Sequence, residues 1–293
     1  MKKVWFITGS SRGLGRNLTE AVLNSGDNVI ATARNLQSLG DLQEKFPDQL
    51  KTIQLDVTKE DEVISVINEA VTIFGRIDVV VNNAGFGITG AAEAFTTEQM
   101  HSQINANFWG AVYVTRAILP YLRKQRSGHI LQVSSIGGRI GTPGMSLYQS
   151  AKFALVGFSE ALSKEVAPLG VKVTIIEPGG FRTDWAGSSM TYATEIPDYE
   201  QTVGYISKVL RKDFVPTGDP VKAAKAMIEV ANHPEPPLHL LLGSDAAGLI
   251  KKVNAVREEE FNKWLDVTLS TDHDDAVSFF ETDAAQILTS TKQ

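Results

Sequence analysis

Val4-Trp5-Phe6-Ile7-Thr8-Gly9-Ser10-Ser11-Arg12-Gly13-Leu14-Gly15-Arg16 is the stretch whose reading decides the fold. An apolar run of strand length, Lys3–Thr8, breaks into a glycine-rich turn. Beyond the turn, Leu18, Ala21 and Val22 repeat at helical spacing. Glycines at a strand-to-helix turn let the backbone approach a pyrophosphate closely, and the helix N-terminus adds free N–H groups and a partial positive charge. The spacing is T-G-x-x-x-G-x-G rather than G-x-G-x-x-G, so taken alone the turn also fits plain chain geometry.

Working outward, six further short apolar runs follow, at Asn28–Ala33, Thr52–Leu55, Ile77–Val81, Ile130–Val133, Val171–Ile176 and Leu238–Leu242. They are rich in Val and Ile and lack strict alternation, as suits strands buried on both faces of a parallel sheet. Helical spacing fills the intervals; Val63, Ile64, Ile67, Val71 and Phe74 mark one apolar face, which Gly75 ends. Strand and helix in alternation predict an α/β fold of Rossmann type, a doubly wound and mainly parallel seven-stranded sheet with helices on both faces. Residues 1–243 are expected to form this single domain, including a looser segment at about 185–220 that mixes Gly, Ser, Thr and Pro with aromatics. Pro234-Glu235-Pro236-Pro237 is a rigid connector into the last strand. Residues 244–293 are expected to be a C-terminal helical extension, with Leu249, Val253 and Val256 on a helix and a solvated acidic end.

Composition removes several function classes. The 293 residues, 43% of them hydrophobic, suffice for a large core. With 28 basic against 34 acidic side chains the net charge is −6, which argues against non-specific nucleic-acid binding. With no cysteine there is no disulfide, thiolate metal site or thiol nucleophile. His101, His129, His233, His239 and His273 show no H-E-x-x-H or close pairing, so no metal is expected. Gly9 and Arg12 interrupt the apolar run after Met1-Lys2-Lys3, short of the ~7–15 residues a signal h-region needs. No run approaches the ~20 apolar residues of a membrane span. The expected location is cytoplasmic.

Two glycine patterns mislead. Gly85, Gly87 and Gly90 spell a literal G-x-G-x-x-G after a strand, but no acid lies at the ribose-binding distance of ~20 residues. This stretch is read as a flexible loop over the site. Gly9-Ser10-Ser11-Arg12-Gly13 spells the G-x-S-x-G of a hydrolase nucleophile elbow, yet that elbow requires earlier strands and an oxyanion loop. Ser11 is a poor nucleophile candidate.

Tyr148-Gln149-Ser150-Ala151-Lys152 stacks a phenol and an ammonium on one helical face. A nearby cation favours the phenolate, so Tyr148 is expected to titrate below its ordinary value of ~10 and to serve as acid/base near neutrality. Ser135 follows the strand Ile130–Val133, and sites in parallel sheets gather at the carboxyl ends of strands.

With these pieces in place the chain resembles the classical short-chain dehydrogenase/reductase family over residues 3–183. The motifs stand in the family's order: Thr8–Gly15, Asp56, Asn82-Asn83-Ala84-Gly85, Asn107, Ser135, Tyr148 with Lys152, and Pro178-Gly179 with Thr183. The extended branch carries T-G-x-x-G-x-x-G, which disfavours epimerase or dehydratase chemistry here. The resemblance implies that Tyr148 exchanges a proton with the substrate oxygen, while Lys152 bonds the nicotinamide ribose and lowers the pKa of Tyr148. It further implies that Ser135 orients the carbonyl and that Asn107 holds a water linking Lys152 to solvent. By the same resemblance Gly9, Ser11, Arg12 and Leu14 lie along the adenosine and pyrophosphate, and Asp56 and Val57 bracket the adenine. Asn83, Ala84 and Gly85 lie beside the ribose and ring, Thr183 bonds the carboxamide or phosphate, and Asn82 is structural.

Cofactor choice is argued from charge. NAD-preferring relatives end the second strand with an acid for the ribose 2′-OH, whereas this chain reads Ile30-Ala31-Thr32-Ala33-Arg34. Arg34 and Arg12 suit a 2′-phosphate, which gives NADP(H) as the expected cofactor. Trp185, Met190, Tyr192, Tyr199, Tyr205 and Phe214 form either a lid over an apolar carbonyl or alcohol substrate or a small satellite core. Segment length and tail are similar to the 17β-hydroxysteroid-dehydrogenase-like branch, and the family resemblance implies a homodimer or homotetramer. The function expected is NADP(H)-dependent hydride transfer between a nicotinamide and a carbonyl or secondary alcohol. The alternatives are a non-catalytic NADP(H) sensor and a serine hydrolase using Ser11.

Overall fold

The computed structural model describes residues 2–185, 187, 189–213, 215–283 and 285; Phe214 and the last eight residues of the predicted extension lie outside it. Its strands are β1 (Val4–Thr8), β2 (Asn28–Ala33), β3 (Leu50–Gln54), β4 (Val79–Asn82), β5 (Gly87–Thr89), β6 (Gly128–Val133), β7 (Val171–Pro178), β8 (Met190–Tyr192) and β9 (His239–Leu242). The helices are α1 (Gly13–Asn24), α2 (Gly40–Lys45), α3 (Glu60–Ile73), α4 (Thr97–Ile104), α5 (Gly110–Gln125), α6 (Ser146–Val166), α7 (Tyr205–Lys208), α8 (Pro220–Asn232), α9 (Ser244–Lys263) and α10 (Leu265–Leu269).

Seven strands form one sheet in the order β3-β2-β1-β4-β6-β7-β9. Every pairing in it is parallel, which sharpens the expected mainly parallel sheet. All five residues of β1 are buried. Trp5 and Ile7 face one core with Leu18 and Val22 of α1 and Met227 of α8. Val4 and Phe6 face the other, with Ile67 of α3, Ile118 of α5 and Leu162 of α6. Covered on both faces, such strands gain from apolar residues at every position, hence the absence of alternation. Strand order reverses between β1 and β4, the switch point where open α/β sheets bind ligands. Among the described residues no helix is long and apolar enough to cross a membrane.

One expectation is corrected. The stretch around Gly87 is no flexible loop: β5 pairs in parallel with β8, matching Gly87 with Met190 and Thr89 with Tyr192. A Cβ at Gly87 would lie 2.8 Å from the end of the Met190 side chain, and one at Gly90 would lie 2.5 Å from the Ala193 Cβ. These glycines allow two chain segments to meet, and no phosphate is needed to explain them.

Asn82 ends β4 at the sheet's centre and is 4% exposed. Its amide nitrogen donates to the Ala111 carbonyl at 3.3 Å, Thr115 Oγ1 at 3.0 Å and Gln132 Oε1 at 2.9 Å, tying β4 to α5 and β6. Asn82→Ala leaves Gln132 Oε1 without its donor and opens a small cavity, so stability should fall by about 2 kcal/mol. Urea unfolding should show this as a lower midpoint at unchanged slope; a midpoint equal to wild type would show that the amide holds nothing.

Candidate active site

A cavity of about 780 Å³ opens over the carboxyl ends of β1, β4, β6 and β7. Gly9, Ser11, Arg12 and Leu14 line it from the first turn, Arg34 from the end of β2, and Asp56 and Val57 from beyond β3. Asn83, Ala84 and Gly85 line it from beyond β4, as do Asn107, Ser135, Tyr148, Lys152 and Thr183. The tertiary structure therefore gathers every site residue expected from the sequence onto one cavity.

The dinucleotide end is built by close backbone approach. Gly9 sits at φ +67°, and a Cβ there would lie 2.8 Å from the Ala84 Cα. A Cβ at Gly15 would lie 2.4 Å from both the Gly9 carbonyl oxygen and Asn83 Nδ2. Asn83 Nδ2 donates to the carbonyls of Thr8 at 2.9 Å and Gly9 at 3.1 Å, while Thr8 Oγ1 accepts from the backbone N–H groups of Asn83 and Ala84. The turn is thus locked to the end of β4, with the N-terminus of α1 facing the cavity as an anion-binding end. Asp56 accepts from the Thr58 N–H at 3.0 Å and from its hydroxyl at 2.7 Å. Partial burial pushes the Asp56 carboxyl up, but those bonds and the charges of Arg34 and Lys59 outweigh it and hold the group below its usual value. Among the described residues no histidine lines this cavity beside Ser11, so the Ser–His pairing of a hydrolase is not formed there.

The other end carries the phenol and ammonium. Tyr148 and Lys152 are 5% exposed, one turn apart on α6, with the Lys152 Nζ 5.8 Å from the centre of the Tyr148 ring. Lys152 Nζ donates to the Val133 carbonyl at 2.9 Å. Ser135 Oγ accepts from the Gly137 N–H at 3.0 Å and is a hydrogen-bond partner of Tyr148. Burial pushes the phenol up to about 12, with the Ser135 hydrogen bond opposing it, and burial pushes Lys152 down to about 8. This corrects the expected direction for Tyr148. Desolvation outweighs the Ser135 hydrogen bond, and the phenol is held in its proton-bearing form.

Asn107 lies in a π-helical turn, Asn105–Trp109, between α4 and α5. Its Nδ2 donates to the Gln103 carbonyl four residues back at 2.9 Å, loosening the helix there, and to the Phe86 carbonyl at 3.0 Å. Its buried Oδ1 has no protein partner. A Cβ at Gly85 would lie 2.5 Å from that Oδ1 and 3.7 Å from Lys152 Nζ, so Gly85 is what lets both polar groups reach one spot.

Trp185 packs on Tyr148 with ring centres 5.3 Å apart, and Met145, Tyr148 and Met190 form a small apolar cluster with Trp185, Tyr192 and Leu210. Of the two readings of the aromatic segment, the packing shows a small core, seated on the Tyr148 ring. Tyr199 and Tyr205 do not join it: Tyr199 bonds Glu93 at 2.8 Å, and Tyr205 is 62% exposed.

Two lining residues went unread in the sequence. Gln149 accepts from the Thr142 N–H at 2.7 Å and donates to the Thr142 hydroxyl at 3.1 Å, pinning the loop that carries Ile140. Asp245, in the first turn of α9, accepts from the Gly180 N–H at 2.7 Å. An acid in the first turn after the last strand was the available signal, though N-terminal acids are common enough to carry little weight.

A family model for short chain dehydrogenase matches residues 3–192. The chain belongs to the short chain dehydrogenase family. It is 48% identical over 273 residues to the oxidoreductase BOA17 of Botryotinia fuckeliana, covering 92% of this chain and all of that one. A short-chain dehydrogenase from Streptomyces avermitilis superposes with a TM-score of 0.88 at 38% identity, over 93% of this chain and 100% of the other. ElxO, solved with NADP bound, superposes with a TM-score of 0.68 at 27% identity, over 83% and 96% of the two chains. The protein is thus an oxidoreductase of this family.

The buried lysine leaves a measurable mark on this dehydrogenase. Burial pushes Lys152 down to about 8 from its ordinary 10.5, so the unfolded chain binds more protons between those values. Stability of the ligand-free protein should therefore rise with pH from 8 to about 10, by about 2–3 kcal/mol. Above pH 10 the raised Tyr148 reverses the trend, since that phenol keeps its proton longer folded than unfolded. Lys152→Met should flatten the rise in chemical unfolding at pH 8, 9 and 10; a variant with the wild-type slope would place the effect elsewhere.

Proposed function

We propose that the protein is an NADP(H)-dependent oxidoreductase that interconverts a carbonyl and a secondary alcohol, with Tyr148 as the acid/base. The observation carrying this reading is the buried pair Tyr148 and Lys152, with the half-buried Ser135 bonded to Tyr148, on the wall of a cavity whose other end is a glycine cradle at a helix N-terminus. The lack of room for a Cβ at Gly9 and Gly15 and the unpartnered Asn107 Oδ1 both fit a bound dinucleotide with ordered solvent. When bound, the nicotinamide supplies or accepts the hydride.

The chain's own residues supply position and proton. Gly9, Ser11, Arg12 and Leu14 cradle the pyrophosphate side, Asp56 and Val57 flank the adenine, and Asn83, Ala84, Gly85 and Thr183 hold the nicotinamide half. Ser135 orients the substrate oxygen toward the Tyr148 hydroxyl, which donates its proton in reduction and takes it back in oxidation. A phenol held protonated by burial is already in the donating form. Lys152 binds the ribose while anchored to the Val133 carbonyl, and Asn107 Oδ1 receives the water that links Lys152 to solvent. Ile140, Met145, Trp185, Ile206 and Leu210 surround the substrate end, which suits an apolar ketone or alcohol under the lid of residues 185–220. The NADP(H) preference rests on Arg34, which lines the adenosine end beyond β2 with no acid in that strand. A homodimer or homotetramer is supported by Trp109 and Phe153 on the central helical face, each 41% exposed.

Tyr148→Phe should lower kcat at least tenfold, about 1.4 kcal/mol of barrier, with NADPH affinity within twofold of wild type. Steady-state rates on a panel of ketones and alcohols, with cofactor binding by fluorescence, test it; retained turnover would remove Tyr148 from the chemistry. Arg34→Asp exchanges an attractive contact for a repulsive one, so NADPH affinity should drop at least tenfold, about 1.4 kcal/mol, while NADH affinity holds or improves. An unchanged NADPH-to-NADH ratio would overturn the NADP(H) preference and leave the Tyr148 assignment standing.

A further inference from the structure

The sequence assigns no task to the helix beyond the last strand, and the family match ends at residue 192, yet that helix reaches the cavity. Asp245 and Leu249, one turn apart on α9, both line it. The Asp245 carboxylate sits in a seat cut from two glycines. A Cβ at Gly179 would lie 2.4 Å from both of its oxygens, and one at Gly243, which has φ +103°, would lie 2.4 Å from Oδ1. In that seat Oδ2 accepts the Gly180 N–H at 2.7 Å, and Oδ1 is buried without a partner. A buried carboxylate oxygen with no partner is costly, so its retention asks for a compensating role. Next to the Asp245–Gly180 bond, the Gly179 N–H donates to the Leu242 carbonyl at 2.8 Å, closing β7 onto β9. A second tie lies three turns along α9, where Arg257 donates to the Arg139 carbonyl at 2.8 Å, in the loop that carries Ile140. The helix therefore grips both flanks of the site: the Pro178–Thr183 turn on the cofactor side and the loop after Ser135 on the substrate side.

We propose that α9 is a working wall of the active site, in which Asp245 is a positioning residue for the Pro178–Thr183 turn and Leu249 is a specificity-determining side chain at the substrate end. This rests on the nicotinamide-dependent reading given above. Asp245 acts without touching substrate or cofactor, by holding the Gly180 backbone, and with it Thr183, where the nicotinamide half binds. Leu249, 42% exposed, lines the cavity one turn beyond Asp245, so its volume bears on how large a substrate fits. The substrate class is an apolar ketone or secondary alcohol whose body reaches α9.

The test titrates NADPH and NADH by fluorescence into the full chain and its variants, alongside melting temperature and steady-state kinetics with a small and a bulky ketone. Asp245→Ala should raise the Kd of both dinucleotides at least fivefold. Asp245→Asn, which keeps an acceptor for the Gly180 N–H, should restore both to within twofold of wild type. If Asp245→Ala only lowers the melting temperature and binds both dinucleotides as wild type does, the positioning role is overturned. Leu249→Trp reads the same wall without disturbing the Asp245 seat, and it decides the matter if Asp245→Ala does not fold. It should raise KM for the bulky ketone at least fivefold over its effect on the small one, with NADPH Kd unchanged; equal KM values overturn the proposal. A wild-type chain that binds neither dinucleotide would instead sink the reading under Proposed function, and this inference with it.

Discussion

The close contact of Gly9, Gly15 and Asn83 is the constraint on which the rest of the site depends. Where β1 and β4 end side by side, the turn after β1 must fold back hard enough to aim the N-terminus of α1 at the cavity. That is sterically open only if two positions lack a Cβ, since a methyl at either would meet backbone or amide atoms within 2.8 Å. Asn83 then satisfies the carbonyls of Thr8 and Gly9 that the sharp turn leaves without strand partners. The same side chain holds the following Ala84-Gly85 segment in place, which in turn makes room for Asn107 Oδ1 and Lys152 Nζ. A single steric requirement at the switch point is thereby passed along the chain to the Tyr148–Lys152 end of the cavity.

Burial is the second organising influence, and it acts on the two titrating groups in opposite senses. It raises the phenol and depresses the ammonium, so both lean toward their neutral forms in the protein alone. Stability is given up to hold an amine nearly out of water, offset in part by its bond to the Val133 carbonyl. Such an arrangement leaves Lys152 sensitive to any charge or hydrogen-bond acceptor that enters the cavity. The small core of Met145, Met190 and Trp185 keeps water from the phenol on the remaining side. Thr89, on the short strand beneath it, directs its hydroxyl at the sulfurs of Met145 and Met190 and joins that core to the β5–β8 pair.

Much of the site was legible in the sequence because its parts are carried by short-range patterns. The glycine turn, the i, i+4 spacing of Tyr148 and Lys152, and the position of Ser135 after a buried strand are each readable within a few residues. The apolar runs located the strands of the large sheet, although β3 starts at Leu50 and β4 at Val79, since strand ends depend on the neighbour's register rather than on apolarity. Gly87 was misread for a different reason. Its partner is Met190, about a hundred residues away, and a three-residue strand carries almost no period of its own.

The sequence by itself determined the α/β alternation, the parallel sheet and the identity of the cavity-lining glycines, Ser135, Tyr148 and Lys152, because neighbours in the chain enforce these choices through period and turn chemistry. Only the tertiary structure decided the direction in which Tyr148 titrates, since that follows from how much water the surrounding Met145, Met190 and Trp185 remove. It alone decided that the aromatic segment forms a core on the phenol, and that Asp245 crosses 65 residues of chain to hold Gly180. Dehydration and long-range pairing are properties of the packed molecule: no local window contains both partners, so neither can be read before the chain has folded.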